Sequence, residues 1–461
     1  YEPTWYGNGV KPIEQARKMI DGTTAVYGTE NIGKGQAYHK IDAEYSETVD
    51  AKLRDDKEYT PRATRTLATL QGFNASAEAP ELSKYGGRLD RRIDEGTGYF
   101  RTEKIDGRWW LVDPDGYLFY SAAKVTVRPE DSDEGHQKLI EEYGSKQGWA
   151  DAQRKYYKDL GFNSLGGWSL LFRPQQADGS FSGALNLEAV DGGDSMPIGS
   201  IVVYGVGIRY AKTIDGAKPG GVETFKGSVP PVFNPDFEEK CNEIIKEYVT
   251  PWRDNPNIIG WWSDNEIDEY MVMLDDALKL DPNDPLYTYT YVTAWEWLRQ
   301  RTGKDNPTVY DITNELREDF RQFVYDRYYK VMSEAFHKYA PNHLYLGTRH
   351  YEFSTDSIGT FKAAARYCDV ISYNLYKHWT PDIVDRWAEY VDKPILITEW
   401  YANPDRVAGG FLCKNTEDCG KFYQNFALRL LEAKNVVGYH YFSSLYDETM
   451  ENYAKQINYN M

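Results

Sequence analysis

The sequence predicts an α/β chain folded as a (β/α)8 TIM barrel, preceded by a β-meander and an N-terminal wrapping segment. Two observations carry this. Short apolar or aromatic runs alternate with helical stretches beyond residue 117, and eight such runs can be marked, the number that one barrel uses. The 461 residues, 41% hydrophobic and 27% charged, are enough for one large core or two moderate ones.

Residues 1–97 show no clear period. They are rich in Lys, Glu, Asp, Thr and Gly, contain helix-compatible pieces such as PIEQARKMI and TPRATRTLATLQ, and read as chain that wraps a larger body. Residues 98–461 read as the barrel and its leading meander. In YFRTEKIDGRWWLVDPDGYLFYSAAKV, three strand-like runs are separated by Asp106-Gly107 and by Asp113-Pro114-Asp115-Gly116, both strong turn signals. The eight strand candidates are 117–125, 162–168, 198–206, 257–266, 344–351, 369–377, 394–402 and 436–443. Helix candidates between them are WADAQRKYYKDL, FEEKCNEIIKEYV, a long run from about Asn314 to Tyr339, DIVDRWAEYV and CGKFYQNFALRLLEAK. Little chain follows the eighth run, so the closing helix is expected to be short, absent or replaced by N-terminal chain.

With 71 acidic against 53 basic residues the formal net charge is −18, which argues against nucleic acid or an anionic lipid surface as partner and suits a neutral substrate. No run approaches the roughly 18 apolar residues that a membrane span needs. The chain opens on Tyr1 rather than Met and reads as mature or trimmed. Of Cys241, Cys368, Cys413 and Cys419, only the last two are close enough for a local bridge; the alternative is four free thiols. A bridge would favour an oxidising compartment. No CxxC or HExxH spacing is present, so neither a metal nor a cofactor is expected. Aromatics make up 15% of the chain, with 38 Tyr and 13 Trp. Most such rings build core, but flat rings also stack on the apolar faces of sugars.

The fourth and seventh runs end in carboxylates. GWWSDNEIDEY turns from apolar to acidic at Asp264, Asn265 and Glu266, and ILITEW ends on Glu399 and Trp400. A carboxylate at the end of a buried strand is costly without a role or a partner. Two at one barrel mouth are what retaining glycoside hydrolysis uses, one as acid/base and one as nucleophile. The structural alternative for Glu266 is an ion pair at the rim, and Asp268 and Glu269 read as solvated loop.

Asn265-Glu266 closing the fourth run, with Thr398-Glu399-Trp400 closing the seventh, resembles the large clan of retaining (β/α)8 glycoside hydrolases. Within it, FRTEKIDGRWWLVDPDGYLF, GFNSLGGWS, WWSDNE, ISYNLYK and ILITEW resemble the β-agarase-like proteins of glycoside hydrolase family 50 over roughly residues 98–443. YANPDRVAGGFLCKN, after Glu399, matches less well. The resemblance implies a hydrolase degrading polysaccharide or oligosaccharide, with agarose-like β-galactan as the favoured substrate and a secreted or periplasmic bacterial location. It implies Glu266 as acid/base, Glu399 as nucleophile and Asn265 as the contact to the sugar 2-hydroxyl. Tyr373, or Asn374 beside it, is expected to donate to Glu399. Arg349 and His350 would line the mouth, His350 having a structural rim role as its alternative. Trp168, Trp400 and Tyr441 are candidates for sugar stacking or for core. A β-glucanase or β-mannanase would keep the same pair of acids. A catalytically silent carbohydrate-binding barrel is the alternative of another kind, favoured by loss of either Glu, and both are present. The sequence does not set the oligomeric state.

Overall fold

A computed structural model describes residues 14–17, 19, 42–191, 196–201, 205–217, 225, 229–267, 272–351, 357–405, 409–442 and 447–461. Its main sheet has nine strands: β1 (Ser121–Lys124), β2 (Ser164–Leu165), β3 (Ile198–Ile201), β4 (Ile258–Trp262), β5 (Leu344–Tyr345), β6 (Arg349–His350), β7 (Ile371–Asn374), β8 (Ile395–Glu399) and β9 (Val436–Tyr441). Their order is β5-β4-β3-β2-β1-β9-β8-β7-β6, and the pairings are parallel. The two end strands, β5 and β6, are consecutive pieces of one stretch. The sheet therefore curls until its first and last strands share the segment 344–350.

The expected fifth run is thus one run in sequence and two strands in space. Gly347, at φ 78°, sits in the break. The third run, expected over 198–206, is strand through Ile201; residues 202–204 lie outside the described residues, and the helix Val206–Lys212 follows. Strands buried on both faces carry near-continuous apolar sequence, and β4 and β8 are buried at every position. One face meets an inner cluster of Phe119, Ile259, Trp262, Leu346, Val370, Leu396 and Val437. The other packs on helices Lys146–Asp159, Phe237–Val249, Asn314–Tyr339, Ile383–Tyr390 and Thr416–Glu432, near the expected positions.

Helices Asp133–Tyr143, Thr288–Thr302 and Ile358–Tyr367 add to those expected from the sequence. In TYTYVTAWEWLRQRT the β-branched and aromatic residues carry little helical preference, so packing decides its state. The closing helix, Glu448–Tyr459, is short, and Asp447 caps it by accepting from the Met450 N–H at 3.1 Å.

The meander forms as a three-stranded antiparallel sheet, Arg101–Ile105, Arg108–Val112 and Leu118–Phe119. Asp106 and Gly107 take φ of 48° and 77°, the two left-handed residues that a tight hairpin turn requires. Upstream, Glu47–Lys52 and Thr60–Thr64 pair antiparallel and extend to Phe411–Cys413 and Ala402–Asn403, making a four-stranded sheet beside the chain that follows Glu399. Arg65 fixes this sheet to the helix Thr416–Glu432 through Glu432 at 2.6 Å, and it also pairs with Glu44 at 3.2 Å. Cys413 and Cys419 are buried free thiols rather than a bridge.

Candidate active site

Because the strands of the main sheet are parallel, Glu266, just beyond β4, and Glu399, the last residue of β8, lie at the same edge. Glu399 is held by two donors. Arg349 Nη2 donates to Oε1 at 2.6 Å, and the Tyr376 hydroxyl donates to Oε2. Both groups stabilise negative charge on this carboxylate and fix its plane. Arg349 is fully buried; its Nη1 donates to Asn265 Oδ1 at 3.0 Å, and its guanidinium lies over the Trp262 ring at 5.4 Å. Gly167 closes the other side, where a Cβ would come within 2.9 Å of Arg349 Nη1.

Glu266 has different neighbours. Asn374 Nδ2 donates to its Oε1 at 2.8 Å, and Thr398 orients Asn374 by donating to its Oδ1 at 2.7 Å. Glu266 takes φ 46°, a left-handed backbone that is unfavourable for a residue with a Cβ. Its N–H bonds Arg349 O at 2.9 Å, and Asn265 bridges Arg349 in parallel fashion. Thr126, Trp168 and Leu170, which follow β1 and β2 at the same edge, also have positive φ. The Tyr376 hydroxyl is pushed well above its usual pKa, by burial first and then by the negative charges of Glu399 and Glu266. One phenol therefore feels both carboxylates.

Not every acid of the cluster serves this site. Asp264 accepts from the Gly207 N–H at 3.0 and 3.1 Å and from Tyr328 at 2.5 Å, tying the end of β4 to the start of the helix Val206–Lys212 and to the helix Asn314–Tyr339. Asp268 and Glu269 lie outside the described residues.

Of the ten residues singled out from sequence, Glu266, Glu399, Asn265, Asn374 and Arg349 form one connected set. Tyr373 does not donate to Glu399; its ring stacks on Trp387 at 4.2 Å and Phe361 at 5.0 Å in the helix layer. Tyr376, which sequence reasoning missed, supplies that donor. Asn374 reaches Glu266 instead of Glu399. His350 is buried against Tyr325 and Tyr329 of the helix Asn314–Tyr339. Trp400 is fully buried and stacks on Phe426 at 4.4 Å, and Tyr441 packs on Trp400 and Tyr423. These two are core rings and offer no sugar platform. Trp168 is half-buried, packs against the inner cluster and stands just beyond β2 at the same edge.

The signal that separates these groups was present in the sequence. Successive strand residues face opposite sides. Once Asn374, Arg349 and Glu399 point inward, the adjacent Tyr373, His350 and Trp400 must point outward. Among the described residues no three His, Cys, Asp or Glu side chains converge as a metal set.

The fold and site thus define an α/β protein with paired carboxylates, differently partnered, at the C-terminal edge of a curled parallel sheet. The chain is similar in sequence to β-agarase B of Vibrio sp. (strain JT0107), with 23% identity over 504 residues covering 89% of this chain and 50% of the relative. It is also 23% identical to β-agarase A of the same organism, covering 80% of this chain and 44% of that one. The chain spans about half the length of these curated relatives. No family model matches. Among solved structures, that of BpGH50 superposes with a TM-score of 0.76 and 26% identity, covering 94% of this chain and 98% of the other. An exo-β-agarase structure superposes with a TM-score of 0.60 at 20% identity, over 83% and 67% of the two chains, and shares the fold.

Proposed function

We propose that this chain is a retaining glycoside hydrolase on a closed (β/α)8 barrel, acting on agarose-like β-galactan. The observation that carries the reading is the asymmetry of the two carboxylates: Glu399 is clamped by Arg349 and Tyr376, while Glu266 receives an amide from Asn374. A nucleophile needs fixed negative charge, and an acid/base needs room to exchange a proton. In the first step Glu266 gives its proton to the glycosidic oxygen while Glu399 attacks the anomeric carbon. The C–O bond breaks as the glycosyl ester forms. In the second step Glu266 takes a proton from water, whose oxygen attacks the same carbon and releases Glu399. Two inversions give net retention. Asn265, held by Arg349, is placed in this reading to contact the sugar 2-hydroxyl.

The similarity to two β-agarases supports the substrate class. The net charge of −18 repels heavily sulfated chains and supports it further. Residues 1–97 would serve as a wrapping segment around a 98–461 barrel, in a secreted or periplasmic protein; among the described residues no helix is long and apolar enough to cross a membrane.

The test of mechanism is Glu399→Gly with azide. Turnover is expected to vanish and to return with azide, giving a glycosyl azide of inverted configuration. Full activity without azide would refute Glu399 as nucleophile. The test of substrate is product analysis on neoagaro-oligosaccharides, carrageenan, laminarin and mannan. Release from the agarose-type chain, persisting at high salt, is expected; release from laminarin or mannan alone would discard the galactan, and release from none would favour a binding barrel.

A further inference from the structure

A cavity of about 400 Å³ lies at the end of the main sheet opposite the carboxylates. It is bounded by Tyr120, which leads into β1, by Gly161 and Asn163, which lead into β2, and by Arg108, Trp110 and Leu118 of the meander. These are N-terminal strand ends, whereas Glu266 and Glu399 stand at C-terminal ends. The volume falls within the range of small-molecule sites.

Its electrostatics run against the rest of the protein. In a chain of net charge −18, the described lining holds Arg88, Arg91 and Arg108 and neither Asp nor Glu. Arg88 and Arg91 both pair with Asp90, at 2.9 and 3.7 Å, and Arg88 also donates to Met461 O in the lining. Arg108 has no ion pair among the described residues, and its Nε is buried without a hydrogen-bond partner. Burial pulls this guanidinium below its usual pKa, opposed by the Tyr120 phenol alone. Arg108 and Trp110 share a strand face by the two-residue period. The guanidinium carbon stands 4.9 Å from the Trp110 ring and 5.9 Å from that of Tyr120, so two aromatic rings hold the cation in place. The Tyr120 hydroxyl, on a residue only 7% exposed, also lacks a hydrogen-bond partner. A half-buried guanidinium whose Nε has no partner and a buried phenol that also lacks one line the same cavity, and a ligand there can complete both.

We propose that this cavity is a second ligand site, for a small organic anion: a ring-sized body bearing one carboxylate or sulfate. The planar N–H edge of Arg108 matches a carboxylate or sulfate in paired hydrogen bonds. The Tyr120 hydroxyl donates to the same group, and the apolar wall of Leu82, Leu118 and Leu431 receives the less polar ring face. An acidic monosaccharide has this chemistry, whether it is a uronic acid or a sulfate ester. The argument does not depend on the reaction proposed at Glu266 and Glu399.

Titration calorimetry on the whole chain tests it, with galacturonate, galactose 6-sulfate, galactose and inorganic sulfate as probes. One or both acidic sugars are expected to bind at least tenfold more tightly than galactose or inorganic sulfate, and which of them binds identifies the anionic group. Arg108→Gln is expected to weaken that binding at least tenfold, and Glu399→Gln to leave it unchanged. Leu82→Trp, which fills the cavity from its apolar wall, is expected to abolish it while a circular dichroism spectrum confirms the fold. Equal affinity for galactose and the acidic sugars, loss of binding in Glu399→Gln, or undiminished binding in folded Arg108→Gln would overturn the proposal, as would no binding of either acidic sugar to the wild type.

Discussion

Tyr376 and Tyr373 stand three residues apart and do unrelated work, which single substitutions can separate. Removing the Tyr376 hydroxyl takes one of the two donors from Glu399, so Tyr376→Phe is expected to lower kcat on the order of ten- to a hundredfold with little change in KM. Tyr373→Phe is expected to leave kcat unchanged, because that ring is packed between Phe361 and Trp387. Steady-state kinetics on both variants is the measurement, and equal losses would contradict the assignment. Glu266→Gln is expected to remove the basic limb of the pH–rate profile, since the amide has no proton to lose there. Gly167→Ala places a methyl against Arg349 Nη1 and is expected to cost activity by shifting the clamp on Glu399.

At the scale of elements, the alternation of each strand sorts catalytic side chains from packing ones. Trp400 follows Glu399 and faces the helix Thr416–Glu432, where it stacks on Phe426 at 4.4 Å. Trp400→Ala is therefore expected to destabilise the fold by about 3–5 kcal/mol, read from urea denaturation, rather than to weaken sugar binding selectively. The helix Asn314–Tyr339 depends on its start. Thr313 Oγ1 accepts from the Leu316 N–H at 3.2 Å, and Thr313→Ala is expected to cost about 1 kcal/mol in the same assay. This helix was legible because its length and cap are strong signals. The split of the fifth run was not: LYLGTRHY reads as one strand, and only the parallel partners on either side show that β5 pairs with β4 while β6 pairs with β7.

For the whole molecule, two buried histidines set an acid limit. His343 accepts from Trp261 Nε1 at 3.0 Å and donates to Asn255 O at 2.9 Å, so it is neutral in the fold, and burial lowers its pKa from 6.5 to about 4. His440 is lowered to about 3, by burial first and then by Arg349. A depressed folded pKa means that the stability is fully present above 6.5 and is lost as the pH falls from 6.5 toward the folded value. For His343 that loss approaches roughly 3 kcal/mol near pH 4. The urea midpoint is expected to fall steadily between pH 6.5 and 5. The imidazole NMR signals of His343 and His440 are expected to stay unshifted between pH 8 and 5, and a titration of either in that window would contradict their burial.

The sequence by itself determined the alternation of strands and helices, the placement of Glu266 and Glu399 at the ends of the fourth and seventh runs, and the turns of the meander. These are local properties, written in apolar periodicity and in Asp-Gly pairs. The tertiary structure decided which neighbours the two acids have: Arg349 and Tyr376 for Glu399, and Asn374 for Glu266. It also gave Arg108 its place between two rings at the far end. Such contacts join residues tens to hundreds of positions apart, and their partners are fixed by strand register and the curl of the sheet, which no local pattern encodes.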